Sequence, residues 1–191
     1  YICNPNNPTG TYVSKDRLME FASKCPDHVI QVYDEAYIEF AEAPDCLEMT
    51  EAMKTMPEKP IVLLKTFSKF YGMAGIRAGY ILAQPEIIEW LSKCGTQFAL
   101  SKVSQAGAAA AMKDLEHQKY VKEENTKWRG YLMDGLAELG CKVYPSQTNF
   151  IFFHPHVDPE TVSMKMMERG IMISAQAGAN RVSVGKPEHC E

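Results

Sequence analysis

Lys69 sits in company suited to covalent chemistry beside an anionic group. The run Lys65-Thr66-Phe67-Ser68-Lys69-Phe70-Tyr71-Gly72-Met73-Ala74-Gly75-Ile76-Arg77-Ala78-Gly79-Tyr80 surrounds it with two hydroxyls, Thr66 and Ser68, with Gly72, Gly75 and Gly79, and with Arg77. Hydroxyls, a guanidinium and backbone N–H groups together suit phosphate oxygens. Glycines let the backbone approach such a ligand closely. A lysine beside that site is placed to hold a cofactor aldehyde as a Schiff base. Taken alone, Lys69 reads as a solvated surface lysine, and the glycines as turn punctuation.

Two further stretches change that balance. Asn7 lies in Asn4-Pro5-Asn6-Asn7-Pro8-Thr9-Gly10, a turn that would project Asn7 from a strand's C-terminal edge, with the two Asn-Pro steps holding the chain extended. Asp34 opens Asp34-Glu35-Ala36-Tyr37 directly after the apolar run Val29-Ile30-Gln31-Val32-Tyr33. A carboxylate at the end of a strand is where open α/β sheets keep ligand-binding groups. A helix cap or surface charge is the plain alternative for Asp34, and an ordinary loop the alternative for Asn7.

The elements that must carry these residues follow from pattern. Tyr1-Ile2-Cys3 reads as a strand end and Ile61-Val62-Leu63-Leu64 as a buried strand. Ser14 is a candidate N-cap for a helix whose Leu18, Phe21, Ala22 and Cys25 share a face. A short helical pattern spans Leu47 to Met56, and another helix starts at Pro85. The alanine-rich segment Ser101 to Met112 predicts a tightly packed helix. A long helix from Leu115 to Leu139 stops at Gly140 and suits a connector. The remainder reads as βαβ: strands at Cys141–Tyr144 and Asn149–Phe153, a helix over Pro159–Arg169, then strands at Ile171–Ile173 and Arg181–Val184. This predicts an α/β chain with two domains, residues 1–117 and 118–191.

Composition narrows the function. A net charge of −4 over 191 residues gives no reason to expect nucleic-acid binding. The six cysteines are scattered without a CxxC pair, as free thiols in a reducing compartment would be, not as a disulfide framework or zinc site. No apolar run approaches membrane-spanning length. His154-Pro155-His156 reads as an exposed turn, and no metal site is expected.

The three stretches NPNNPTG, DEAY and TFSKFYGMAGIRAGY, in that order and each at a strand end, resemble the fold-type I aminotransferases that use pyridoxal 5′-phosphate (PLP). DEAYIEF with SK and GIRAGY is most similar to the histidinol-phosphate branch, and RVSVG extends the likeness to the C-terminal region. The resemblance implies a large PLP-binding domain with a mainly parallel sheet, a smaller C-terminal α/β domain beginning with the long helix, and a portion missing before Tyr1. It implies that Lys69 carries the aldehyde and moves the proton. Asp34 would pair with the ring nitrogen, Asn7 and Tyr37 would bond the phenolic oxygen, and Thr66, Ser68 and Arg77 would hold the phosphate. Arg181 would grip a substrate carboxylate. It further implies a cytoplasmic homodimer acting on a small amino donor, histidinol-phosphate-like, and a 2-oxo acid such as 2-oxoglutarate. A decarboxylase or lyase on the same scaffold, similar to the threonine-phosphate decarboxylases, or a non-catalytic truncated chain, are the alternatives. Ser174 to Asn180 is expected to be a loop, short and small-residued for the family, which leaves the amino donor open.

Overall fold

The computed structural model describes residues 1–46, 48–96 and 98–190. Its elements are β1 (Ile2–Cys3), α1 (Lys15–Lys24), β2 (Gln31–Asp34), α2 (Thr50–Thr55), β3 (Ile61–Thr66), β4 (Gly79–Leu82), α3 (Pro85–Cys94), α4 (Lys102–Ala111), α5 (Leu115–Glu138), β5 (Lys142–Val143), β6 (Phe150–His154), α6 (Pro159–Met167), β7 (Ser174–Gln176), β8 (Ala179–Ser183) and α7 (Pro187–Cys190). Leu47, the expected start of the short helical pattern, lies outside the described residues.

The first sheet runs β1-β2-β3-β4. Its first three strands are parallel and β4 returns antiparallel. Ile61, Val62 and Leu63 are all buried, as a continuous apolar run in a parallel sheet requires. One face closes on Leu18 and Ala22 of α1 and on Met49 and Ala52, which pack with Tyr33, Ile61 and Leu63. Leu18, Ala22 and Cys25 form the expected buried stripe, but Phe21 is 49% exposed. The stripe follows i, i+4, i+7, and Phe21 falls off its edge. Ser14 precedes α1 without a side-chain cap bond. β2 begins two residues later than the apolar run, because the Val29 N–H turns back to Pro26 O. Sequence pattern gave no sign of β4. It depends on Gly79, where a Cβ would lie 2.7 Å from the Lys65 carbonyl.

The alanine-rich helix α4 is packed on one side only. Ser104 and Ala108 are buried, and Ala108 joins Phe67 and Ala78. Ser104 Oγ donates to Ile76 O at 2.8 Å, so α4 braces the segment that carries Arg77.

The second sheet has order β5-β6-β8-β7, and every neighbouring pair is antiparallel. The expected βαβ unit is therefore split: β6 and β7 run the same way, with β8 inserted between them. Two positions are corrected. Ile171–Ile173 forms no strand, because the Ile171 N–H bonds Met166 O in the C-terminal turn of α6, with Gly170 at φ 77°. The stretch expected as a loop, Ser174 to Asn180, is instead a hairpin of β7 and β8, turning at Ala177 (φ 51°) and Gly178 (φ 72°). Two successive left-handed residues match the twist of a tight hairpin.

The two sheets are bolted together. Arg129 of α5 is buried and donates to Phe40 O at 3.4 Å and Thr148 O at 3.2 Å, while pairing with Glu42. Gln147 Oε1 accepts from the N–H groups of Glu42 (2.7 Å) and Ala43 (3.0 Å), and the Gln147 N–H bonds Gly10 O. Among the described residues no helix is long and apolar enough to cross a membrane.

Candidate active site

Asp34 ends β2, in register with Cys3 of β1 and Leu64 of β3. Laterally paired residues share a sheet face, and successive residues alternate. Cys3, Asp34, Leu64 and Thr66 thus lie on one face, and Lys65 on the other. Asp34 Oδ1 accepts the Ala36 N–H at 3.1 Å, which shapes the turn leading to Tyr37. The neighbouring Cys3 thiol is pushed up chiefly by burial. The Asn7 N–H opposes this, and the Asp34 carboxylate adds a smaller push upward. Cys3 was not foreseen as a neighbour of Asn7 and Asp34, since only strand register places it there.

The segment Asn4 to Gly10 closes on itself and is not extended. The Gly10 N–H bonds Asn6 O and the Asn6 N–H bonds Thr11 O, both at 2.7 Å. Asn7 is left exposed at its tip, and Arg181 Nη1 donates to its Oδ1 at 2.7 Å.

Lys69 leaves the end of β3 on a turn closed by the Gly72 N–H on Lys69 O. Its Nζ lies over the Tyr37 ring, 5.6 Å from the centroid. Tyr37 meets Phe150 of β6 edge to face, with centroids 5.1 Å apart, and the Arg181 guanidinium lies 4.9 Å from the Phe150 centroid. Lys69, Tyr37, Phe150, Arg181 and Asn7 therefore form a continuous chain of contacts. Arg181 Nε is buried and unpartnered. Among the described residues neither Lys69 nor Arg181 has a carboxylate partner.

Of the three residues expected around a phosphate, Thr66 ends β3, Ser68 follows it, and Arg77 lies just before β4. Thr66 Oγ1 accepts the Ser68 N–H at 3.1 Å, and the Phe67 N–H bonds Ala78 O, which draws the Arg77 backbone alongside. Arg77 itself is left-handed (φ 53°), exposed, and its guanidinium turns back to Ala74 O at 2.8 Å. A cleft of about 470 Å³ flanks Lys69, walled by Phe70, Tyr120, Asn125, Asn149 and Lys186. Among the described residues no cluster of three or more His, Cys, Asp or Glu side chains could hold a metal ion.

Phe150 is the residue that sequence reasoning passed over. Phe150 to Phe153 are all buried, so the apolar run alone assigns Phe150 to neither face, and its place diagonal to Arg181 depends on pairing Phe152 with Arg181 across β6 and β8.

The family model for aminotransferase class I and II matches residues 1–191. The histidinol-phosphate aminotransferase of Brevibacillus brevis is 36% identical over 193 residues, covering 98% of this chain and 52% of its own length. That of a Ruegeria species is 36% identical over 197 residues, covering 100% of this chain and 53% of its own. The crystal structure of histidinol-phosphate aminotransferase from Sinorhizobium meliloti in complex with pyridoxal-5′-phosphate superposes with a TM-score of 0.90 at 30% identity, over 100% of this chain and 53% of that one. The chain thus spans about half the length of the curated relatives it matches.

Proposed function

Because the chain belongs to the class I and II aminotransferases, we propose that it forms the cofactor-binding part of a PLP-dependent aminotransferase. The reaction would move an amino group from a histidinol-phosphate-like donor to a 2-oxo acid such as 2-oxoglutarate. The supporting observation is the chain of contacts from Lys69 through Tyr37 and Phe150 to Arg181. It sets an amine and a guanidinium, both without carboxylate partners among the described residues, at the two ends of one aromatic bridge.

The residues fit the group. When bound, pyridoxal phosphate supplies an aldehyde that captures amines and a ring that accepts electrons when an α-proton leaves. Lys69 would hold that aldehyde, and its freed amine would carry the proton at the substrate α-carbon. Asp34 would hold the proton on the ring nitrogen. Asn7 and Tyr37 would hydrogen-bond the phenolic oxygen, though Asn7 Oδ1 is already engaged by Arg181 and would offer its amide N–H. Thr66, Ser68 and Arg77 would hold the phosphate, with the Arg77 guanidinium swinging from Ala74 O. Arg181 would fork onto a carboxylate with donors that no acid among the described residues occupies. Residues 1–117 and 118–191 would act as two domains, in a cytoplasmic homodimer.

The test is to incubate the protein with PLP, reduce with borohydride and map the labelled peptide. Label on Lys69 is expected, and label on Lys65 would sink the assignment. Addition of 2-oxoglutarate should convert the amine form of the cofactor back to the aldehyde form. Carbon dioxide release without that conversion would replace the transferase with a decarboxylase.

A further inference from the structure

We infer that Phe150 is a positioning residue that sets where the Arg181 guanidinium stands relative to Lys69, and through it the affinity for a substrate carboxylate. The inference rests on the carboxylate role proposed above for Arg181. Phe150 is 2% exposed, and its ring touches both halves of the candidate site. One contact is the guanidinium at 4.9 Å, the other the Tyr37 edge at 5.1 Å and 89°. Tyr37 in turn lies beneath the Lys69 amine, and Phe70, next to Lys69, belongs to the same aromatic cluster.

The ring is held firmly. Phe150 O accepts from Ser146 Oγ at 2.6 Å and from Thr148 Oγ1 at 3.1 Å. Thr148 O is itself bonded by Asn125 and Arg129. By contrast, the guanidinium has a long flexible arm and, among the described residues, one hydrogen bond, to the exposed Asn7. A carboxylate in place of the ring would occupy the fork. A ring face attracts the cation while leaving its in-plane N–H groups free for a ligand. Burial strengthens that attraction.

The experiment titrates PLP-loaded protein with glutarate, a dicarboxylate that has no amino group to react, and follows the cofactor absorbance. Phe150→Leu keeps apolar bulk and removes the ring, and it should weaken glutarate about ten-fold. Phe150→Tyr keeps the ring and should stay within about two-fold. In an Arg181→Lys background the same Phe150→Leu change should shift the constant by less than about two-fold, because residues in one contact are not additive. If Phe150→Leu does not fold, Phe150→Met is read by the same criteria. Unchanged glutarate affinity without the ring, or an undiminished loss in the Arg181→Lys background, would reduce Phe150 to core filling. Borohydride labelling of Lys69 separates the two ideas. Label retained with unchanged glutarate affinity overturns the role of Phe150 alone, and no label in the unsubstituted protein overturns the PLP assignment and this inference with it.

Discussion

Lys65 and Lys69 stand four positions apart at one strand end, and their surroundings are opposite. The Lys65 side chain is 2% exposed and faces three carboxylates, Glu48 at 2.8 Å, Glu35 at 3.2 Å and Glu39 at 3.6 Å. Burial pulls its ammonium down, but the Glu48 hydrogen bond and the fields of all three acids outweigh it and hold the group well above the ordinary lysine value. Lys69 is exposed over an aromatic ring, with no acid beside it among the described residues. The difference shows how one short segment separates a lysine locked among acids from one that no acid among the described residues holds. Strand alternation turns Lys65 to the face opposite Asp34, and the chain then leaves the sheet so that Lys69 escapes the alternation.

The comparison breaks most sharply at Lys69. Lys69→Ala should lose turnover on the order of 10⁴-fold and lose the borohydride label, while its thermal midpoint stays unchanged. A variant that keeps the label would show that the reactive lysine lies elsewhere. Lys65→Met should do the reverse. It leaves Glu35 and Glu39 buried without their cation, so denaturant unfolding should report a loss of about 3–5 kcal/mol while Lys69 is still labelled. A stable Lys65→Met protein would mean that the acids simply take up protons.

Asp34→Asn tests the face that Lys65 avoids. The amide oxygen can still accept the Ala36 N–H, but the charge is gone, and kcat should fall on the order of a hundred-fold. Near-normal kcat would make Asp34 a turn cap and nothing more.

The smallest effect is pH dependence on the Lys65 side. Burial raises the Glu35 carboxyl, with the Lys65 charge opposing, and Glu39 is raised in the same way. One ammonium cannot satisfy three acids, so the folded state holds a proton that the unfolded chain releases near pH 4.3. This contribution to stability is full below the unfolded value and is lost as pH rises through the raised folded value. Thermal midpoints measured upward from pH 4 should therefore decline more for the native sequence than for Glu35→Gln. Parallel declines would rule out Glu35 as the source.

What was legible in the sequence was local. Lys69, Asp34 and Asn7 follow strands or fill turns, and that placement is readable at short range. The Lys65 cluster was not foreseen, because Glu35, Glu39 and Glu48 converge only once β2 and β3 pair and the chain after Tyr37 folds back. The hairpin at Ser174 to Asn180 was missed because its strands are small and polar, while the adjacent Ile171-Met172-Ile173 carries the stronger strand pattern. Arg181 was identified by resemblance, yet its ring partner Phe150 depends on strand register, which no single segment encodes.

The hydrogen bond from Arg181 to Asn7 joins residues 174 positions apart. A contact of that span depends on nearly the whole chain being in place before it forms, and loop closure carries its entropic cost up front. The helices α4 and α5, built from local contacts, can appear far earlier. In a refolding experiment the helical circular dichroism should recover ahead of the capacity to capture PLP at Lys69. The lag would measure how late Arg181 and its sheet reach the segment around Asn7.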